Sequence, residues 1–322
     1  ARTPVVNVIG DHATFHRQYD APLSSDVAGI AAPVSGWLKV SESADDVARD
    51  GAEAVQASMG PPGQVASLIL PADTAWNRTE AQADPLPKIA AQPVDTAGVE
   101  SVAKALHSGK PAAILMNGVL TEERLTLANK ISQKTGARII SDTFISRMRR
   151  GAGVPEILRL PYFGEQAAEV LQGVEHLILV SSQPPITFFA YPDKPNWLTP
   201  DNCQIHTLVE RDGDVDGALE ALCQAVGAAA LAPILVQSAR PDAPKGELNP
   251  VTVGQSLAHY FPENAIVVDE GGTCGAGSAI ATASSPAHDW LMLTGGSIGY
   301  GLPTATGAAI ACPDRRVIDL QA

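Results

Sequence analysis

The stretch TGGSIGYGLPTATGAAIA, Thr294–Ala311, decides how this chain is read. It carries Gly295, Gly296, Gly299, Gly301 and Gly307, with Pro303 at the mouth of a helix. Backbone this rich in glycine can take positive φ and come close to a ligand. The helix that follows, read as Thr304–Ala311, has mostly small side chains, which permit tight packing against a neighbour or a bound group. The same residues also suit a structural loop with a close-packed helix behind it. A strand, Trp290–Leu293, leads into the loop, and Arg316–Leu320 begins another after the helix. Upstream lie a helix at Val253–His259, a strand at Ala265–Val268 and the turn Asp269-Glu270-Gly271-Gly272-Thr273. Strand, glycine turn and helix in alternation predict a parallel sheet covered by helices.

The rhythm extends through the chain. Val5–Ile9 reads as a buried strand, Ser43–Met59 as a helix that Ser43 can cap, and Val65–Leu70 as a strand closed by Pro71. Residues 77–97 lose hydrophobic periodicity and read as a linker. A middle unit over residues 98–232 alternates helices at Val99–His107, Glu122–Thr135 and Ala167–Gln172 with strands at Ala112–Met116, Ala137–Ser141, His176–Val180 and Ile205–Leu208. A Pro-rich second linker covers residues 233–250, and the last unit covers 251–322. The expected fold is therefore α/β, with three doubly wound parallel-sheet units. The first (residues 1–76) and last are expected to be truncated, because Val5–Ile9 looks like an interior strand and Val317, Ile318 and Leu320 call for a covering helix.

Composition narrows the function. The 322 residues are 45% hydrophobic and 18% charged, a globular balance. The net charge of −13 argues against nucleic acid as a partner. No apolar run approaches the ~20 residues that span a bilayer, so no membrane association is expected. Cys203, Cys223, Cys274 and Cys312 form no CxxC pair and read as small buried hydrophobes in a reducing, cytoplasmic protein. Arg147-Met148-Arg149-Arg150 is the one dense basic cluster, read as a solvated or interface face or, less simply, a phosphate site. No GxGxxG follows a strand, which speaks against an NAD-binding protein.

The segment Gly295–Ala309 resembles the cofactor loop of the thiamine-diphosphate-dependent 2-oxo-acid enzymes, the acetolactate synthase and benzoylformate decarboxylase group. VVDEGGTCG, Val267–Gly275, resembles that family's diphosphate-side loop, and TPVVNVIGD, residues 3–11, the later half of its pyrimidine-binding domain. The resemblance covers nearly the whole chain. It implies thiamine diphosphate and Mg2+ as cofactors of the complete protein, a small 2-oxo-acid substrate, and a homodimer or homotetramer. The middle unit has no clear flavin signature, so FAD is not expected.

The resemblance also implies residue roles. Ile298 would be the aliphatic wedge beneath the bent cofactor, and the Gly296 carbonyl would orient its amino group. Gly271, Gly272 and the Thr273 hydroxyl would hold the diphosphate, although Thr273 alone reads equally well as a helix cap. His12 follows a strand's carboxyl end, where α/β sheets place ligands, and is the candidate substrate-side proton donor or acceptor. His16 and Gln18 are weaker candidates. The family's catalytic Glu and its Gly-Asp-Gly metal motif match nothing in these 322 residues, and Asp319 does not qualify as a metal ligand. The chain is therefore expected to be a piece of a longer protein, inactive alone. For the complete protein the readings are acetolactate synthase-like decarboxylation and carboligation, benzoylformate-type decarboxylation, or a non-catalytic homologue with a binding or assembly role. Glu270-Gly271-Gly272-Thr273 resembles the decarboxylase loop more than the synthase one.

Overall fold

Parallel strand pairing organises the chain. The computed structural model describes residues 2–321 and divides into two compact units, residues 2–92 and 93–321. In the first, strands β1 (Val5–Asp11), β2 (Trp37–Val40) and β3 (Val65–Pro71) form a parallel sheet in the order β1-β3-β2. Register runs from Val5 opposite Val65 to Asp11 opposite Pro71. Its helices are α1 (Val27–Ala31), α2 (Val47–Met59) and α3 (Ala72–Trp76). The buried face of α2 puts Ala54 and Ala57 against Ala66 and Leu68 of β3. The helix starts later than Ser43, because the Ser43 hydroxyl donates to the Asp46 side chain and Asp46 takes the N-cap position. It stops at Gly60, whose φ of 63° favours glycine.

The second unit holds two sheets. Strands β4 (Ala112–Met116), β6 (Arg138–Ser141), β8 (Leu158–Arg159), β9 (His176–Val180) and β10 (Gln204–Val209) pair in parallel in the order β10-β9-β4-β6-β8. Between them stands the short β5 (Val119–Leu120), which belongs to the other sheet. Side chains alternate between two packed faces, as the period of two requires. Ile114, Met116, Ile178 and Val180 point into one cluster, whereas Ala113, Leu115, Leu177 and Leu179 point into the other. Helices α4 (Thr96–Leu106), α5 (Glu122–Thr135), α6 (Gly164–Leu171) and α7 (Val215–Ala225) cover this sheet.

The last sheet has the order β13-β11-β12-β7-β5, adding β7 (Arg147–Arg150), β11 (Ile266–Asp269), β12 (His288–Met292) and β13 (Val317–Leu320). Strands β13, β11 and β12 are parallel, and β7 joins β12 antiparallel. The Arg147–Arg150 run, expected as a solvated or interface face, is thus a sheet strand. Met148 is buried in the core, the Arg150 guanidinium lies 4.9 Å from the centroid of the Trp290 ring, and Arg147 pairs with Asp289 at 3.1 Å. Burial of Arg150 against an aromatic face is what a weakly hydrated guanidinium tolerates and an ammonium does not. Helices α8 (Pro250–His259), α9 (Gly275–Ala281) and α10 (Gly301–Ala311) complete the unit. Asn249 caps α8 with Thr252 in a reciprocal capping box, which moves its start ahead of Val253. A side chain at Gly254 would begin 2.7 Å from the Gly277 carbonyl oxygen, so glycine permits the close approach of α8 to α9. No helix among the described residues is long and apolar enough to cross a membrane.

Candidate functional site

Two loops meet at the carboxyl ends of β11 and β12, where parallel α/β sheets place ligands. All four residues of β11 are buried, and the chain leaves the strand through two carboxylates with different tasks. Asp269 accepts the indole N–H of Trp290 at 3.1 Å through Oδ2 and the backbone N–H of Gly271 at 3.1 Å through Oδ1. It anchors the Gly271-Gly272-Thr273 turn to the sheet interior. Glu270, only 7% exposed, reaches into the glycine loop. Its Oε1 accepts the Gly299 N–H and its Oε2 the Gly301 N–H, each at 2.5 Å. These two backbone donors hold its carboxyl below the ordinary glutamate range, because they stabilise the anion. One side chain therefore ties the strand-end turn to the second loop.

The loop after β12 is shaped by left-handed glycines. Gly295, Gly296 and Gly299 have φ of 72°, 65° and 92°, a region costly for residues bearing a Cβ. Gly301 opens α10 for a different reason. A side chain there would begin 2.0 Å from Gln321 Nε2 and 2.9 Å from both Asp319 Oδ1 and Glu270 Oε2. Ile298 sits between Gly296 and Gly299 and is 85% exposed, a large aliphatic side chain on the loop rather than in the core. Where side chains would start at Gly295 and Gly299 no atom outside the neighbouring residues lies within 4 Å, so the loop is open at those two positions. The Gly296 carbonyl accepts the Ile298 N–H at 3.1 Å and keeps a second lone pair. Tyr300 is half-buried, and burial, with Asp269 nearby, pushes its phenol up to about 12, so it stays protonated.

The structure thus brings Gly271, Gly272, Thr273, Gly296 and Ile298 into one region of the second unit through Glu270. Gly272, Thr273 and Ile298 are exposed there, while Gly271 and Gly296 are half-buried. The linking role of Glu270 escaped the reading of the sequence. An acidic residue directly after an apolar strand and before a glycine pair is the signal that marks it. Phe188 is the other residue missed. Its ring lies against Gly296, with Cζ only 2.6 Å from where a side chain there would begin. No local pattern connects residues that far apart in the chain.

His12 lies in the first unit. It lines a cavity of about 620 Å3 beyond the end of β1, together with Asp11, Phe15, His16 and Trp76. The loop is ordered by carboxylates. Asp11 accepts the His12 N–H at 2.7 Å and pairs with Arg17 at 2.7 Å, while Asp73 accepts both the backbone N–H and the hydroxyl of Thr14. The His12 and His16 rings are 5.6 Å apart, and the His16 and Tyr19 rings 5.8 Å. Gln18 instead donates to the Phe15 carbonyl at 2.9 Å. Among the described residues no group of three or more His, Cys, Asp or Glu side chains is arranged to hold a metal.

Comparison with known proteins places similar chains beside this geometry. No protein-family profile matches the chain. Its full length is 48% identical to a protein of Mycobacterium tuberculosis (strain ATCC 25618 / H37Rv) whose own assignment, acetolactate synthase large subunit IlvX, is provisional. The chain spans 62% of that protein's length. Among solved structures, 98% of the chain superposes on the thiamine-diphosphate-dependent 4-hydroxybenzoylformate decarboxylase of Rhodococcus jostii RHA1, with a TM-score of 0.73, 20% identity and 63% of that chain covered. The benzoylformate decarboxylase of Polynucleobacter necessarius gives a TM-score of 0.76 at 16% identity, with 98% and 63% of the two chains covered. A thiamin-diphosphate-dependent enzyme assigned in Mycobacterium smegmatis gives 0.74 at 18%, with 98% and 65% covered. These structures share the α/β fold, and in sequence the chain is similar to a protein provisionally assigned as an acetolactate synthase large subunit, so it resembles the thiamine-diphosphate-dependent enzymes of the acetolactate synthase-like and benzoylformate decarboxylase-like group.

Proposed function

We propose that the complete protein is a thiamine-diphosphate- and Mg2+-dependent enzyme that breaks or makes the carbon–carbon bond beside the carbonyl of a 2-oxo acid. When bound, the cofactor would supply a nucleophilic carbon to add to the carbonyl and a positively charged ring to take up the electron pair of the breaking bond. The observation that carries the reading is the placement of Ile298, a bulky aliphatic group 85% exposed on a loop of left-handed glycines that is open at Gly295 and Gly299. In this reading Ile298 wedges the bent cofactor and keeps water from the reacting side. The free lone pair of the Gly296 carbonyl orients an amino group. Gly271, Gly272 and the Thr273 hydroxyl hold the diphosphate. Glu270 is a positioning residue that keeps the two loops in register. No residue of this chain is assigned to the Mg2+. His12 donates or accepts a proton on the substrate side, in a cavity large enough for a small acid.

Acetolactate synthase-like chemistry, in which one 2-oxo acid loses CO2 and its residue is added to a second, is supported by the 48% identity to the M. tuberculosis protein. A second reading, decarboxylation that ends at the aldehyde, is favoured by Glu270-Gly271-Gly272-Thr273. A homo-oligomer in the cytoplasm suits either. The test uses the complete gene product with thiamine diphosphate and Mg2+. Acetolactate from pyruvate supports the first reading, and benzaldehyde with CO2 from benzoylformate the second. Ile298→Ala is expected to slow deuterium exchange at C2 of the bound cofactor at least tenfold by NMR. Failure of the complete protein to bind thiamine diphosphate defeats both readings.

A further inference from the structure

The chain is poor in aromatic residues, at 5%, yet several rings gather around Phe188. Its ring centroid is 4.9 Å from that of Phe189, 5.6 Å from Phe144 and 5.8 Å from Tyr162. These rings are not core. Tyr162, Phe163, Phe188, Phe189 and Tyr191 are between 39% and 58% exposed. Contiguous exposed apolar faces of this kind mark an interaction site. The five line a cavity of about 330 Å3. That volume lies at the lower end of the ~300–1,000 Å3 typical of small-ligand sites, so the occupant is one ring with a short head group.

The cavity lies between the start of α6 and the loop that carries Phe188 and Phe189. Backbone hydrogen bonds from Thr187 to the Asn196 carbonyl and from Leu198 to the Pro185 carbonyl close that loop. A side chain at Gly164 would collide with the Thr187 methyl group, so glycine seats α6 directly on it. Phe188 is the wall on the side of the glycine loop, where its ring lies against Gly296. An occupant of the cavity therefore does not touch the glycine loop and is not a substrate reacting there.

The rim carries charges of both signs. Lys194 Nζ lies 2.6 Å from Glu165 Oε1, and both side chains line the cavity. The ammonium holds the Glu165 carboxyl below the ordinary glutamate range, so the rim presents one cation and one anion. The two side chains are 46% and 49% exposed. An ion pair this exposed contributes little, and a ligand bearing both charges can take its place. An aromatic acid would satisfy Lys194 and face Glu165 with a like charge, and an aromatic amine would do the reverse. Only a ring that carries an ammonium and a carboxylate together leaves neither side chain unpaired.

We propose that this groove binds a free aromatic amino acid in its zwitterionic form, with the ring packed on Phe188 and Phe189, the carboxylate on Lys194 and the ammonium on Glu165. A peptide presents its aromatic side chain without either charge, which is why the free amino acid is the occupant. The site is separate from the glycine loop and stands independently of the thiamine-dependent reading.

Isothermal titration of the complete gene product with L-phenylalanine, phenethylamine, 3-phenylpropionate and L-alanine tests it. Phenylalanine is expected to bind ~3-fold or more tighter than either single-charge analogue, the worth of one exposed ion pair, and tighter again than alanine, which lacks the ring. Phe189→Ala should weaken phenylalanine by ~3–10-fold, the range of one aromatic pair. Phe189→Leu, which preserves apolar volume, should fall between the two. Lys194→Met keeps the apolar stem and releases Glu165. It should weaken phenylalanine and tighten phenethylamine, whereas a protein that failed to fold would lose both. Absence of phenylalanine binding at millimolar concentrations overturns the assignment. So does equal affinity for phenylalanine and its single-charge analogues, or undiminished phenylalanine binding in a folded Phe189→Ala protein.

Discussion

Lowering the pH from 7 to 5 should destabilise the second unit through His288. This imidazole is fully buried, packed on the Phe261 ring at 4.5 Å and near the Trp290 ring at 5.9 Å. Its Nδ1 lies 2.8 Å from the Pro286 carbonyl oxygen, to which the neutral ring donates, and Nε2 has no partner. Burial, aided by Arg150 and Arg149, lowers its pKa from 6.5 to about 4, against the opposing pull of the Pro286 carbonyl and Asp289. The native state therefore holds the ring neutral, while the unfolded chain protonates it near 6.5. Between those values the unfolded state binds the extra proton. The stabilisation is fully present above pH 6.5 and is lost as pH falls toward 4. The drop of about 2.5 pKa units corresponds to ~3 kcal/mol in all, of which ~2 kcal/mol falls between pH 7 and pH 5. Denaturant unfolding followed by fluorescence of the buried Trp290 region, at a series of pH values, measures the slope. His288→Asn should flatten it by about that amount, and NMR titration of the His288 imidazole should give a native pKa well below 6. A native pKa above 6, or parallel pH slopes for the two proteins, would refute the reasoning.

Two further outcomes follow from the loop geometry. Gly301→Ala puts a methyl group 2.9 Å from Glu270 Oε2, and because the Gln321 and Asp319 side chains can swing aside the loss comes from weakening the Glu270 bond to the Gly301 N–H, ~1 kcal/mol in denaturant unfolding; a variant of wild-type stability would show that Glu270 does not depend on glycine there. Glu270→Gln keeps the shape of the side chain but removes the charge that strengthens two N–H bonds. Amide exchange at Gly299 and Gly301 should quicken markedly in it. In the wild type, protection should be full above the ordinary glutamate range and decline as pH falls through that range toward the lower native pKa, since a lowered carboxylate contributes fully only above its unfolded value. Exchange rates that match between the two proteins would remove Glu270 from its tying role.

Much of this architecture was legible along the chain because it is local. Strands such as Ala112–Met116 and His176–Val180 are short apolar runs, and a parallel sheet buried on both faces needs nothing else. The glycine loop was legible for the same reason, since positive φ at Gly295, Gly296 and Gly299 is a property of single residues. Short elements were not. Trp37–Val40 has too few residues to show a period, and Arg147–Arg150 looks like surface because its charges find their partners at Asp289 and Trp290, about 140 residues on.

The amino-acid sequence alone determined the α/β class, the glycine loop with its single large aliphatic residue, and the resemblance to the thiamine-diphosphate-dependent enzymes, because each is written in neighbours a few positions apart. Only the tertiary structure decided that Glu270 joins the two loops, that Phe188 lies against Gly296 and that the arginine strand completes the last sheet. Those contacts link segments from 29 to more than 100 residues apart. They depend on strand order and register, which hydrophobic periodicity does not encode.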